Sequence, residues 1–228
     1  MINFEQFFLE QTQLQYVVVY PGRFQPMLKH HKAVYDKLVE EYGENSVYLA
    51  TSDSVKLPKS PLSFAEKQQV MTQLMNIPAD KVINVKVPYA GESYAHLGSS
   101  DSVLILAVGY KDQHPAPPDK PRFEFKNIDK STGLNMKIKA PEPTFIQPYE
   151  TLRDAAVPAS QGRGYVRVMS DVVDPDTGAP YKASAFRQRL QSANNITQAK
   201  HAFFNYYGMP MNNDFDAIIE KLYFANQV

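Results

Sequence analysis

An α/β fold, with a parallel sheet of five strands between flanking helices, is what this sequence predicts, and three observations predict it. Short runs of β-branched and aromatic residues alternate with segments of helical period from position 16 to position 108. The first run is apolar on both faces, as a strand covered on both sides must be. After a proline-rich interruption a further run of this kind returns near position 165, and helical periodicity follows it.

Taken in order, residues 1–15 place Phe4, Phe7, Phe8 and Leu9 at roughly helical spacing, which predicts a short helix or an arm that docks on a partner. Tyr16-Val17-Val18-Val19-Tyr20 is the first strand. The turn Pro21-Gly22-Arg23-Phe24-Gln25-Pro26 follows, and from His30 to Tyr42 the positions Ala33, Val34, Leu38 and Val39 repeat with helical period until Gly43 stops them. A strand from Val47 to Ala50, a helix from Phe64 to Met75 with Val70, Met71 and Leu74 inward, and strands Val82 to Val87 and Val103 to Val108 complete a core over 16–112.

Over 113–164, prolines at 115, 117, 118, 121, 141, 143, 148 and 158 prevent long helices and mark an insertion. Within it Arg122 to Lys126 and Leu134 to Lys139 read as strands of a hairpin turning through Gly133 and leaning over the sheet edge. Over 165–228, Tyr165 to Met169 returns as the fifth strand, and Ser184 to Leu190, Thr197 to Tyr207 and Asp214 to Phe224 read as helices. With right-handed crossovers the whole is Rossmann-like.

Composition narrows the chemistry. A chain of 228 residues can bury a core without staples, and the absence of cysteine removes disulfides, thiolate nucleophiles and cysteine-ligated metals. Basic and acidic residues number 24 each, so no global field draws the protein to nucleic acid or an anionic membrane, and any bound anion must be met locally. The opening Met1-Ile2-Asn3-Phe4-Glu5 lacks a basic stretch ahead of an apolar one, and no apolar run approaches the roughly 18 residues of a membrane span. A cytoplasmic location without a membrane partner is the expectation.

In open α/β sheets ligands sit beyond the carboxyl ends of the strands, where the strand order reverses. The loop from Gly22 to His31 belongs there. Gly22 permits close backbone approach, Arg23 offers a cationic fork, and the amino end of the next helix presents N–H groups to a phosphate.

Gly22-Arg23-Phe24-Gln25-Pro26, with His31 five residues after the proline, resembles the signature of the HIGH-motif nucleotidyltransferases, of which nicotinamide-mononucleotide adenylyltransferases are the nearest variety. There the segment continues with an apolar residue and His-x-Gly-His. The family's late Ser-Gly-Thr or Ser-Ala-Thr motif, with its arginine, is similar to Lys182-Ala183-Ser184-Ala185-Phe186-Arg187. Ser60-Pro61-Leu62-Ser63-Phe64-Ala65-Glu66-Lys67 and Gly109-Tyr110-Lys111-Asp112 are weaker echoes, so the resemblance spans about residues 16 to 192. It is greatest to members encoded by large tailed phages, for which the host cytoplasm is the expected location.

The resemblance implies transfer of AMP or CMP from ATP or CTP to a small phosphorylated acceptor, with nicotinamide mononucleotide a candidate, and release of pyrophosphate on Mg²⁺. The protein positions and neutralises without forming a covalent bond. His31 would donate to the α-phosphate, Arg187 and the amides at Ser184 would hold the β- and γ-phosphates, and Arg23 or Lys29 would add positive charge. Gly109 and Asp112 would border the nucleoside, with Gly22, Phe24, Gln25 and His30 also against the nucleotide, and no protein ligand set for a metal is implied.

Leu28 replaces the first histidine of the pattern and His30 its glycine. Loss of one oriented donor costs on the order of 3 kcal/mol, against a total barrier reduction of roughly 8–23 kcal/mol. A fold that binds nucleotide without turnover, serving in an assembly or an oligomer, is therefore the rival reading.

Plainer roles stand beside these. His30 and His31 also suit the solvated start of a helix, Lys29 the surface, Asp112 a turn, and Arg187 pairing with a carboxylate. His96, His114 and His201 lack ligand spacing, and Phe203, Phe204, Tyr206 and Tyr207 suit a core or contact face, because the stretch around them is not basic enough for stacking nucleic-acid bases. Asp171, Asp174 and Asp176 lack the rest of a calcium loop.

Overall fold

The computed structural model describes residues 15–153, 156–173 and 183–225. Residues 1–14 of the helix or arm expected over 1–15, Lys182 of the late motif, and Asp174 and Asp176 lie outside them. Six strands form one parallel sheet: β1 (Tyr16–Pro21), β2 (Val47–Thr51), β3 (Val82–Asn84), β4 (Val103–Gly109), β5 (Ile146–Pro148) and β6 (Gly164–Met169), in the order β3-β2-β1-β4-β6-β5. The α/β, Rossmann-like prediction holds, with one strand more than the five expected.

Alternation along the inner strands separates two cores. Val18, Tyr20, Leu49, Ile105 and Ala107 face one side and pack with α1 (Lys29–Tyr42), α4 (Ala183–Gln191), α5 (Ile196–Tyr207) and α6 (Asp216–Phe224). Val17, Val19, Ala50, Leu104 and Leu106 face the other, where Tyr94, Ala159 and the half-buried Phe123, Phe145 and Ile146 cover them. Side chains of period two do this in any strand buried on both faces.

Helix α2 (Phe64–Gln69) opens with a capping box: Ser63 N–H donates to Glu66 Oε2 at 2.8 Å and Ser63 Oγ accepts from Glu66 N–H at 3.4 Å. It continues as a π-turn over Val70–Leu74 rather than as one α-helix to Met75, and there Thr72 Oγ1 donates back to the Gln68 carbonyl. α3 (Tyr110–Gln113) is a single turn after β4.

Two expectations need correction. β3 ends at Asn84 instead of Val87: after Val85 N–H donates to the Thr51 carbonyl the chain leaves the ladder, and Val87 is exposed. The hairpin strands Arg122 to Lys126 and Leu134 to Lys139 do not form. Strand pairing there is confined to isolated antiparallel bridges, Ile128 with Asn135 and Met136 with Pro143, since Pro141 and Pro143 cannot donate to a ladder, and turn and side-chain hydrogen bonds supply the remaining ties.

The insertion does more than lean over an edge. It contributes β5 to the sheet margin and aromatic cover to the second face. Among the described residues no helix is long and apolar enough to cross a membrane.

Candidate functional site

From β1 the chain runs outward to β2 and β3, then returns to lay β4 on the other side of β1. At this reversal the connecting loops diverge and leave a crevice beyond the carboxyl ends. A cleft of about 370 Å³ opens there, walled by the loop after β1, the start of α1, Lys59, Tyr89, the turn after β4, Arg122 and the start of α4.

The cleft gathers Gly22, Arg23, Phe24, Gln25, His30, His31, Asp112, Ser184 and Arg187. Lys29 and Gly109, expected beside them, are not in its wall. The Lys29 ammonium lies 5.5 Å from the centroid of the Tyr206 ring, and Gly109 ends β4 behind Asp112.

Packing explains the loop. Phe24 adopts φ 44° and is buried edge-on to Tyr20, with ring centroids 5.6 Å apart. Its ring fills the space beside Gly22, where a Cβ would stand 2.7 Å from the ring carbon Cζ. Gly22 thus makes room for Phe24, where the sequence suggested room for a ligand. The Gln25 carboxamide is likewise engaged within the protein: Nε2 donates to the Leu62 carbonyl at 3.0 Å and Oε1 accepts from Leu62 N–H at 2.8 Å.

The start of α1 is partly satisfied by the protein itself. Leu28 N–H donates to His31 Nδ1 at 3.0 Å, and Lys29 N–H donates to the Tyr206 hydroxyl at 3.1 Å. Leu28 sends its side chain into the core, only 2% exposed, and Tyr207 donates from its hydroxyl to the Met27 carbonyl at 2.6 Å. The aromatic stripe on α5 is therefore core and loop support, as its sequence suggested: Phe203, Phe204 and Tyr207 are buried.

With Nδ1 accepting, neutral His31 carries its proton on Nε2, on the opposite side of the ring. Burial, with the charges of His30 and Lys111, holds its pKa well below the usual histidine value. Burial and Lys111 push His30 down to about 4. The two rings stand 3.9 Å apart. At neutral pH the pair supplies uncharged donors and acceptors rather than cations.

Positive charge comes from elsewhere. Arg23, Lys59, Lys111, Arg122 and Arg187 line the cleft against the carboxylate of Asp112. Arg187 Nη1 donates to the Gln25 carbonyl at 2.8 Å, which fixes α4 to the loop after β1. Burial and the nearby Arg23 lower its pKa. Among the described residues no carboxylate pairs with Arg23 or Arg187, and an anion in the cleft would relieve their repulsion.

An adjoining hollow of about 450 Å³ shares Arg23, Gln25 and Lys59 and adds Lys56 and Lys67. Lys67 is 1% exposed; its ammonium donates to the Ser52 carbonyl at 2.5 Å, and burial lowers its pKa.

Among the described residues no cluster of three acidic or histidine side chains could hold a metal ion alone. Asp112 is the one carboxylate among the residues that line the cleft, and so the one side chain there that could offer a carboxylate to a hydrated magnesium ion.

Lys59, Tyr89, Lys111 and Arg122 are the polar wall residues that sequence reasoning missed, along with Tyr20, Pro21 and Ala183. Lys111 stood inside a motif already singled out, and Lys59 directly before another. Tyr89 and Arg122 carried no local signal, because only the fold brings them to the cleft. No protein-family model matches the chain, and no curated protein matches it.

Proposed function

We propose that this cleft binds a nucleoside triphosphate and a phosphorylated acceptor and transfers the nucleotidyl group between them. One observation carries the reading. Arg23, His31 and Arg187, distant in sequence, meet in a single cleft at the reversal of strand order, where cations outnumber the carboxylate.

In the reaction an oxygen of the acceptor phosphate attacks the α-phosphorus of ATP or CTP. The bond from that phosphorus to the bridging oxygen breaks, and its electron pair leaves on pyrophosphate. His31 Nε2–H donates to the α-phosphate oxygens as charge builds on them. Its lowered pKa keeps the ring neutral, with Nδ1 held by Leu28 N–H. Arg187, anchored on Gln25, and Ser184 hold the β- and γ-phosphates, while Arg23 spans the cleft and the adjoining hollow. Lys56, Lys59 and Lys67 give the acceptor phosphate a basic environment. Mg²⁺ on the triphosphate would neutralise charge on the leaving pyrophosphate.

Pyrophosphate release from ATP and CTP, across acceptors that include nicotinamide mononucleotide, tests the reading. His31→Ala should lower kcat by about 10²–10³-fold with little change in nucleotide affinity. Arg187→Ala should weaken nucleotide binding itself. Wild-type protein that neither binds nor turns over a nucleoside triphosphate refutes the proposal.

A second reading, nucleotide binding without turnover, is favoured by the burial of Leu28, which leaves no side-chain donor at that position. Its signature is tight MgATP binding with no pyrophosphate released for any acceptor. Phage origin and assembly into an oligomer belong with this reading as proposals.

A further inference from the structure

The start of α1 sets two imidazoles into one wall of the cleft. The His30 and His31 rings stand 3.9 Å apart, tilted by 43°, and the Phe24 ring meets His31 edge-on at 5.3 Å. His31 Nδ1 is committed to Leu28 N–H at 3.0 Å. A second proton on His31 would sit on Nδ1, face that N–H and break the bond that caps the helix. Two charged rings this close would also repel one another. An added proton that leaves the cap intact therefore belongs on His30. His30 stands where the resembled pattern has glycine, so its imidazole is this chain's own addition to the cleft.

Every element packed around His30 brings a charged or titratable group. Arg23 comes from the loop after β1, Lys59 from the loop after β2, Lys111 and Asp112 from α3, Arg122 from the insertion and Arg187 from α4, all in the wall that His30 shares. Its own helix adds Lys29, and α5 adds Tyr206, whose hydroxyl accepts from Lys29 N–H. Cations outnumber the Asp112 carboxylate, which disfavours one more positive charge on the ring. Burial and Lys111 accordingly push His30 down to about 4. A polyphosphate carries several negative charges to the same wall. It offsets those cations and accepts a charge-assisted hydrogen bond from an imidazolium, and both effects favour the protonated ring.

We propose that His30 takes up a proton from solvent when a polyphosphate enters the cleft, so that it joins the phosphate-binding groups as a cation and ties nucleotide affinity to pH. This rests on the nucleotide-binding reading of the cleft. A ligand that raises a group's pKa binds more tightly as the pH falls through the value in the complex, and the gain ends below the value in the protein alone, about 4 for His30.

The test uses the full chain and MgATP. Titration calorimetry in buffers of different ionisation enthalpy gives the protons taken up per nucleotide bound, at pH 6 and pH 8, for wild-type protein and for His30→Gln. The nucleotide's own titration is common to both proteins, so the difference between them reports His30. With His30 in the complex near the ordinary histidine value of about 6.5, wild-type protein should take up roughly 0.7 proton more than the variant at pH 6 and less than about 0.1 more at pH 8. From pH 8 to pH 6 its affinity should gain about fourfold over that of the variant. The wild-type chain answers alone if the variant does not fold: at pH 6 the assigned His30 ring signals in an NMR titration should move to the imidazolium position as MgATP is added.

MgATP binding at pH 6 with equal proton uptake by the two proteins, a gain in affinity that the variant keeps, or a His30 ring that stays neutral in the complex would each overturn the inference while leaving the nucleotide reading intact. Failure of wild-type protein to bind MgATP at either pH defeats that underlying reading, and this one with it.

Discussion

Gln25, Gln113 and Gln147 each turn a carboxamide to the main chain of another residue, donating to its C=O and accepting from its N–H, and Gln147 Nε2 also donates to the Thr144 carbonyl at 2.7 Å. The partners are Leu62, Phe123 and Asn135. All three glutamines are buried, and each fastens a loop that has no strand or helix partner of its own. A buried amide so satisfied is stable, whereas removing it strands two main-chain groups. Gln25→Ala should therefore cost about 2–4 kcal/mol in a urea melt. Gln25→Glu should cost a similar amount, because a carboxylate cannot donate to the Leu62 carbonyl. Loss of less than about 0.5 kcal/mol in both variants would mean that Leu62 finds other partners, and that the clamp is not what shapes the loop under Arg187.

At the scale of elements, the start of α1 brings two neutral histidines together. His30 has its pKa pushed down to about 4, and His31 lies well below the ordinary value. Between those values and the unfolded value near 6.5, the unfolded chain binds protons that the native protein refuses. Stability is thus complete above about pH 6.5 and falls as the pH drops toward 4. Glu41 and Glu66, whose pKa values are lowered by Arg167 and Lys221, lose their contribution only below the ordinary carboxylate range, so the window from pH 6.5 to 4.5 belongs to the histidines. A thermal melt should show Tm dropping over that window by a few degrees, and His30→Gln should flatten the drop; an unchanged slope in the variant would contradict the assignment. The elements themselves were legible in the sequence where period and caps agree: β1, α1, β4 and the helices of the carboxyl-terminal third fall within a residue or two of expectation. The motif residues His31, Arg23 and Arg187 were singled out too, because the resemblance to a family's motifs carried them. β5 was not, since three residues ending in Pro148 give no alternation to read, and Gln147 looks like a loop glutamine until its partners are known. Tyr89 and Arg122 escaped for the same reason, as their meeting depends on long-range packing.

Across the whole molecule the sheet divides two cores that differ in what closes them. Long amphipathic helices cover one face, while the other depends on Tyr94, Ala159 and the aromatic residues of a proline-rich insertion. That second cover has little regular structure, so its hold on the sheet comes from a few bonds. Gln147, fully buried, joins the edge strand β5 to Asn135, and Thr144 ties the same turn through Asn135 Nδ2 at 3.0 Å. Gln147→Leu removes the link and leaves the N–H and C=O of Asn135 without it, a local loss of about 2–3 kcal/mol, or on the order of 30–150-fold in an opening equilibrium. Because β5 is an edge strand, the sheet between β3 and β6 has no part in that opening. Hydrogen exchange should show the amides of Asn135, Met136 and Thr144 speeding up by that factor while those of α1 and α5 stay protected. Uniform acceleration through α5 would instead mean that the two faces unfold as one unit, and that the insertion is part of the cooperative core rather than a cover fastened over the sheet.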